Sequence, residues 1–192
     1  MLKDLVLKNR SYRGYDQSRA LTRAELLDMV DHARLTPFSQ NFQSFKYYLS
    51  WTPEQNAVIQ PLTGWARGLP QMKLPHEGHC PTGFVVICYD STIGPGVERF
   101  WKDVGIAAQT MLLRAAEMGL GGCMIGNFSP EKVKEALHLA DNLRPVLIVA
   151  LGKPDEQVVL TELAPGGDFN YYRDAHDVHY VPKRRLEDIV LD

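Results

Sequence analysis

Apolar residues recur along the chain at spacings typical of helices and of buried strands. The longest helical pattern runs from Val97 to Met118, and from Val104 onward it holds few polar residues. A helix that is apolar on most sides is covered on most sides. We therefore predict a central helix, or one covered by a second subunit. Its marked face comprises Phe100, Val104, Ala107, Met111, Ala115 and Met118.

Four shorter helices are predicted from apolar spacing and from N-terminal signals. Residues 2–6 carry apolar side chains on one face of an opening helix. Thr22 and Glu25 form a capping box, in which each side chain bonds the other residue's backbone N–H. Thr52 and Ser129 each precede a proline, a residue favoured at the first helical position.

Short apolar runs predict four strands, at residues 45–51, 84–89, 121–126 and 145–151. Residues 61–82 are rich in proline and glycine, and the last forty residues are irregular, aromatic and charged. We expect one mixed domain over residues 1–192 with a single sheet, an irregular insertion at 61–82 and an extension at 155–192. The extension is too long to remain unpacked, and we expect it to wrap a surface, for which a neighbouring subunit is a natural candidate.

Composition narrows the classes of function. Of the 192 residues, 45% are hydrophobic and 23% charged, and the net charge of −2 supplies no basic surplus for nucleic acid. No apolar run approaches the roughly 20 residues that a membrane span needs. The three cysteines and the absence of a signal-peptide pattern favour a reducing, cytoplasmic location.

Two cationic clusters could hold a phosphate. Arg10-Ser11-Tyr12-Arg13 places two guanidinium groups around a hydroxyl, and Lys183-Arg184-Arg185 adds three cations near the C-terminus. Arginine offers planar, bidentate donors that suit phosphate oxygens. Each cluster is also compatible with a solvated surface, which is the usual place for a charge run.

Two further segments could contact a planar ligand. Asn41 and Gln43 carry amides that can read the polar edge of a flavin or a base, although turn chemistry also explains them. Residues 119–126 are glycine-rich, which allows close approach of backbone to a ligand or simply ends a helix. They do not form a dinucleotide fingerprint, and Cys123 among apolar neighbours is typical of a core cysteine.

Histidines give weaker signals. Residues 76–80 (His-Glu-Gly-His-Cys) match no standard zinc spacing and have no downstream ligand pair, so no metal site is predicted. A metal-binding loop there remains a minor alternative. His176 and His179 lie in the tail without a clear carboxylate partner in sequence.

Together these segments resemble the nitroreductase family of flavoproteins, especially its short members. The resemblance rests on five stretches in the family's order: residues 8–15, 37–43, 118–126, 149–154 and 181–190. They look like its opening arginine-serine motif, its proline-to-glutamine segment, its glycine-rich piece, the strand and turn that follow, and its closing basic motif. Two departures stand out: Asn9 occupies the place of the first arginine, and Phe38 replaces a serine, which leaves Ser39 as the hydroxyl.

The resemblance implies an α+β fold with a mostly antiparallel central sheet, an intertwined homodimer and FMN at the subunit interface. Around the FMN phosphate it implies Arg10, Ser11, Arg13, Lys183 and Arg185. Against the isoalloxazine it implies Pro37, Ser39, Asn41 and Gln43. From the other subunit's side it implies Gly122, Ile125 and Gly126 along the ring.

The resemblance also implies the activity. NADH or NADPH would deliver a hydride to the flavin, and a nitroaromatic or quinone would then be reduced in a ping-pong cycle. The flavin carries this chemistry, so no catalytic side chain is predicted. Two alternatives remain open: another flavin reaction such as reductive dehalogenation, with substrate contacts at residues 64–80, or a flavin-binding dimer without turnover, for which Asn9 leaves room.

Overall fold

The computed structural model describes residues 1–94, 96, 98 and 100–191. Their helices are α1 (Leu2–Lys8), α2 (Arg23–Arg34), α3 (Pro53–Ile59), α4 (Trp101–Glu117) and α5 (Pro130–Ala136). Their strands are β1 (Phe45–Ser50), β2 (Gly83–Asp90), β3 (Gly121–Ile125), β4 (Leu143–Gly152), β5 (Val158–Leu163), β6 (Tyr172–Arg173) and β7 (His179–Arg184). The predicted helices and the four predicted strands are confirmed to within a few residues, and the predicted helix start at Val97 lies outside the described residues.

A four-stranded antiparallel sheet forms the centre, in the order β1-β2-β4-β3. All eight residues of β2 are buried. Because successive side chains of a strand point to opposite faces, Val85 and Ile87 pack with α2 and α4 on one side. Phe84 and Val86 pack with α3 and α5 on the other. The sheet is therefore covered by helices on both faces.

The long helix α4 packs against α2 and the central sheet. Its buried side chains include Val104, Met111 and Leu112. Gly119 follows the helix with φ +73°, a conformation that L side chains rarely adopt. The helix thus ends just before the glycine-rich residues 119–126, one of the two roles that the sequence allows for them, and the chain turns directly into β3.

The C-terminal residues form a second sheet, in the order β5-β7-β6. β5 pairs with β7 in parallel, and β6 pairs with β7 antiparallel. The expectations of one sheet and of an irregular tail are therefore corrected. Sequence reasoning missed these strands because β6 is two residues long, β7 contains Pro182, and β5 alternates only weakly between buried and exposed positions.

Residues 61–82 are irregular in the structure. Apart from the end of a 3-10 helix at Gln60–Leu62, they hold only turns and bends. Their anchors include the N–H of Gly64, which donates to the Asn127 carbonyl at 2.7 Å. None of the helices in the described residues is both long and apolar enough to cross a membrane.

Candidate functional site

A cavity of about 370 Å³ opens where the two ends of the chain meet. Its wall is built from the segment after α1, from the middle of α4 and from the second sheet. Polar and charged side chains along it include Asn9, Arg10, Ser11, Arg13, Gln109 and Lys183. Cationic residues from the start and the end of the sequence therefore face one space.

The opening segment is held in place by β3. Ser11 forms a parallel bridge with Gly122, and the Tyr12 N–H donates to the Gly122 carbonyl at 3.1 Å. A Cβ on Gly121 would lie 2.5 Å from the Tyr12 ring, so only glycine admits this close approach. Tyr15 is completely buried, and its hydroxyl donates to the Tyr12 carbonyl at 2.7 Å. The segment that carries the first cluster is thus a packed element.

Arg13 is the most enclosed cation of the cavity, with 9% of its surface exposed. Its Nη1 donates to the Ser11 carbonyl at 3.1 Å and lies 3.2 Å from Nε2 of His179. Its guanidinium carbon sits 4.9 Å from the centre of the Tyr171 ring, within the range of a cation–π contact. Three groups therefore restrain the guanidinium.

A buried ion pair lies behind Arg13. The side chains of Arg173 and Glu156 are 2% and 3% exposed and are paired with each other. Glu156 also accepts a hydrogen bond from the backbone N–H of Arg13, and Asp177 accepts one from Arg173 at 2.9 Å. Burial raises the pKa of Glu156, while Arg13 and Arg173 act against that rise. The pair ties β6 to the opening segment.

His179 is buried beside Arg13 and the Tyr171 ring, and the centroids of the two rings lie 5.1 Å apart. Burial lowers the pKa of His179 to about 4, and the charges of Arg13 and Arg173 add to this effect. Its imidazole is therefore neutral near neutral pH. The sequence offers no carboxylate partner for His179, and in the fold its Nε2 faces a guanidinium.

The remaining cations of the two clusters differ in their surroundings. Lys183 is exposed and lines the cavity. Arg10 also lines it, its Nη2 donates to the Val6 carbonyl, and its Nε is buried without a partner among the described atoms. Arg185 does not line it, and its guanidinium pairs with Glu187 at 2.7 Å and Asp188 at 3.0 Å.

The amide segment, residues 37–43, does not line this cavity. Pro37, Asn41 and Gln43 are exposed. Asn41 has φ +55° and Gln43 has φ +53°, left-handed conformations that cost free energy for residues other than glycine. Within one chain, the segment is therefore not part of the cationic wall, by which we mean the cavity side lined by Arg10, Arg13 and Lys183.

Buried Asp103, in the first turn of α4, holds the start of that segment. Its carboxylate accepts the Ser39 N–H at 2.9 Å and the Ser39 hydroxyl at 2.8 Å. The Ser39 hydroxyl is therefore occupied by a protein acceptor. Sequence reasoning missed Asp103, since nothing near it in sequence signals a partner 64 positions away.

The glycine-rich strand contributes in two ways. A Cβ on Gly122 would lie 2.3 Å from the Ala150 carbonyl, so strand packing by itself requires glycine there. Ile125 is buried in the core on the α5 side, whereas Gly126 is exposed with open space around its Cβ position. Open space at Gly126 leaves room for a ligand, while the Ile125 side chain is taken up by packing.

The histidines of the insertion pair with carboxylates. His76 lies 3.2 Å from Asp177, and His79 lies 3.0 Å from Asp155. In the part of the chain that the structure describes, no three His, Cys, Asp or Glu side chains come together as metal ligands. Burial raises the pKa of the Cys123 thiol, which favours the unreactive protonated form.

The donor set of the cavity fits a phosphate-bearing group. Arg10, Arg13 and Lys183 bring three positive charges, and Ser11 adds a hydroxyl and lies beside them. Charge-assisted hydrogen bonds to phosphate belong to the strong class. The orphaned Arg10 Nε is a further donor in need of an acceptor. These residues are suited to the phosphate end of FMN, whose ring would need further contacts.

Residues 6–153 match the model of the Nitroreductase family. FMN reductase (NADPH) of Bacillus subtilis (strain 168) is 28% identical over 171 residues, a match that covers 79% of this chain and 65% of that relative. The chain thus spans less than two thirds of that relative's length.

Solved structures share the fold. The nitroreductase family protein of Streptococcus pneumoniae TIGR4 has a TM-score of 0.70 at 16% identity, with all of both chains covered. A protein of Exiguobacterium sibiricum 255-15, solved in complex with FMN, has a TM-score of 0.66 at 17% identity, covering 81% of this chain and 89% of that one. At such identities the likeness establishes the α+β architecture with its antiparallel sheet.

Proposed function

Because this chain belongs to the nitroreductase family, we propose that it is an FMN-dependent oxidoreductase that uses NADH or NADPH to reduce electron-poor acceptors. Nitroaromatics and quinones are the acceptors that this proposal names. FMN reductase (NADPH) of Bacillus subtilis supports the choice of cofactor and reductant.

One observation carries the proposal: cations from both ends of the chain line one cavity. Arg10 and Arg13 meet Lys183 there, and the bridge between Ser11 and Gly122 brings the glycine-rich strand beside them. A dianionic phosphate is the ligand that such a wall would bind best. Three like charges around one cavity do not stabilise the fold, since their mutual repulsion is unfavourable.

The residues of this chain would bind and orient the cofactor. Arg10, Ser11, Arg13 and Lys183 would hold the phosphate, and Gly126 would leave room along the ring. FMN, when bound, would supply the redox chemistry by taking a hydride from the nicotinamide and passing electrons to the acceptor. No side chain of the chain is assigned as an acid or base.

We further propose that the site is completed in a homodimer by a second copy. The amide segment with Asn41 and Gln43 is exposed and outside the cavity of its own chain, so a partner's segment could reach the flavin ring. Exposed apolar side chains near both ends of the chain support the presence of a surface that a second copy covers. Leu2 and Leu7 of α1 are 66% and 51% exposed, and Leu186 and Leu191 near the C-terminus are also exposed. On this proposal, the exposed end of the 155–192 extension, after β7, contacts the partner, while β5 to β7 stay packed on their own chain.

The visible spectrum of the purified protein tests the function. We expect bound FMN, bleaching of its absorbance by NADH or NADPH without oxygen, and recovery when a nitroaromatic or quinone is added. A variant with both Arg13→Met and Lys183→Met should lose the FMN. Lys132→Met, at an exposed lysine of α5, is the matched control and should retain it. Protein that stays colourless with added FMN would contradict the proposal.

A further inference from the structure

The guanidinium of Arg13 is aimed by acceptors of its own chain. Its Nη1 is 3.1 Å from the Ser11 carbonyl and 3.2 Å from Nε2 of His179. We propose that His179 is a positioning residue, whose Nε2 accepts from Arg13 and so presents that guanidinium to the anion in the cavity. This inference rests on the proposed function, since the anion meant is the FMN phosphate.

The protonation state of His179 follows from its neighbours. A guanidinium can only donate, so Nε2 must carry a lone pair and the ring proton must lie on Nδ1. Arg13 and Arg173 both face the ring, and each disfavours a third positive charge. Asp177 also acts on it and favours the charged form, but more weakly than burial and the two arginines disfavour it. A neutral imidazole with this tautomer is the state in which it can accept from Arg13, and its Nδ1–H is then buried without a partner among the described atoms.

The Tyr171 ring, which contacts both Arg13 and His179, is packed against the insertion on its other side. The Tyr171 ring lies between Arg13 and the insertion, where its hydroxyl accepts the Gly68 N–H at 3.1 Å. A Cβ on Gly68 would meet the Tyr171 ring at 2.8 Å, so the loop is packed tightly onto this side chain. His179 is in turn 5.1 Å from the Tyr171 ring centroid. The Tyr171 ring therefore contacts both Arg13 and His179, and the insertion packs against this ring.

A histidine that only filled space would not need its acceptor. An apolar ring at position 179 would keep the contact with Tyr171 but would leave Nη1 of Arg13 with one acceptor fewer. A buried donor without an acceptor is unfavourable, so the guanidinium would rotate toward water or toward Glu156. The two explanations, packing and positioning, thus predict different results for different substitutions of one residue.

The experiment compares FMN dissociation constants, measured by quenching of flavin fluorescence, for full-length variants. We expect His179→Phe, which keeps a ring but no acceptor, to weaken FMN binding about tenfold, the worth of one charge-assisted hydrogen bond. His179→Gln, whose side-chain oxygen can accept from Arg13, should recover most of that loss. If the Phe variant does not fold, His179→Leu tests the same loss of the acceptor with a smaller side chain.

A double-mutant cycle separates positioning from packing. In an Arg13→Met background no guanidinium remains to be aimed, so His179→Phe should cause little further loss of FMN affinity. Thermal midpoints of all variants are recorded beside the affinities, because a merely structural role would change the midpoint without this coupling.

Three results would overturn the inference: unchanged FMN affinity in His179→Phe, equal losses in the Phe and Gln variants, or the same loss with and without Arg13. Wild-type protein that fails to bind FMN would defeat the proposed function and this inference with it. Wild-type protein that binds FMN, beside variants that do so equally well, would defeat this inference alone.

Discussion

The cationic wall and the amide segment were both predicted to contact one cofactor, yet the chain builds them differently. Arg13 is buried and restrained by groups 143 and 166 positions away in sequence. Asn41 and Gln43 are exposed, and their left-handed backbone is anchored through Ser39 to Asp103. One region is assembled by long-range contacts, whereas the other is a strained local turn fixed at one end.

This difference indicates which half of the site a single chain prepares. The wall has its supporting ion pair, Arg173 with Glu156, inside the fold of one chain. The amide segment presents its polar side chains to solvent, where a ligand or a second copy can reach them. We infer that the phosphate end of the site is pre-formed and that the ring end depends on assembly.

The largest expected effect is a loss of stability when the ion pair of Arg173 and Glu156, which supports the cationic wall, is broken. Arg173→Met would leave the buried Glu156 carboxylate without its main partner, and we expect a loss of about 3–5 kcal/mol in the free energy of unfolding. Urea unfolding measures it. The double variant Arg173→Met/Glu156→Met should be clearly more stable than Arg173→Met alone. Equal stabilities of the two variants would show that the pair does not carry the region.

The second prediction concerns acid. Because the folded-state pKa of His179 is about 4 and its ordinary value is 6.5, only the unfolded chain takes up this proton between those values. Stability should fall as pH is lowered through that window, by about 3 kcal/mol at most. Glu156 acts in the opposite direction, since its pKa is raised.

Comparing wild type with His179→Gln isolates the histidine, because glutamine does not titrate while the other acidic and basic groups stay the same. Urea unfolding at pH 7 and at pH 5 should show a smaller acid loss in the Gln variant. Identical acid losses in the two proteins would rule out His179 as the source and would place the wall's pH sensitivity elsewhere.

The third prediction addresses the amide segment. Asp103→Ala removes both acceptors of Ser39, and we expect a loss of about 2–3 kcal/mol in the free energy of unfolding. Ser39→Ala removes only the hydroxyl bond, so about 1 kcal/mol is expected. If Ser39→Ala proved as costly as Asp103→Ala, the backbone bond to Asp103 would contribute nothing.

The smallest expected effect is on FMN affinity, and it tests whether the cationic wall binds the phosphate. Lys183 is exposed, so Lys183→Ala should weaken FMN binding by roughly tenfold or less while leaving riboflavin, which lacks the phosphate, unaffected. Lys132→Ala serves as the control. Equal weakening for FMN and riboflavin would indicate that Lys183 faces the ring and not the phosphate.

Elements with strong local signals were predictable. The capping box at Thr22 and Glu25 forms as expected, with Thr22 accepting the Glu25 N–H. The end of α4 before Gly119 and the apolar run at residues 84–89 of β2 were predicted correctly for the same reason, since each signal lies within a few residues. The second sheet was missed, because a parallel pair such as β5 and β7 leaves little mark in either strand alone.

In the site too, residues in local motifs were predictable and residues that depend on distant partners were not. Arg10, Arg13 and Lys183 could be named from local motifs, and the fold places all three on one cavity. Glu156, Arg173 and the role of His179 could not, because their meaning depends on partners that only folding brings near. Arg185 shows the converse, since its local cluster looked cationic while Glu187 and Asp188 pair with it.

Local patterns in the sequence were sufficient to predict the family, the central helices and strands, and the residue types that could hold a phosphate. Only folding selects which of those residues share a cavity, which are paired with carboxylates, and which groups support them. Distance along the chain explains this division. Periodicity and capping act over one or two turns, whereas burial, ion pairing and the pKa of a group such as His179 are set by whatever the fold packs around it.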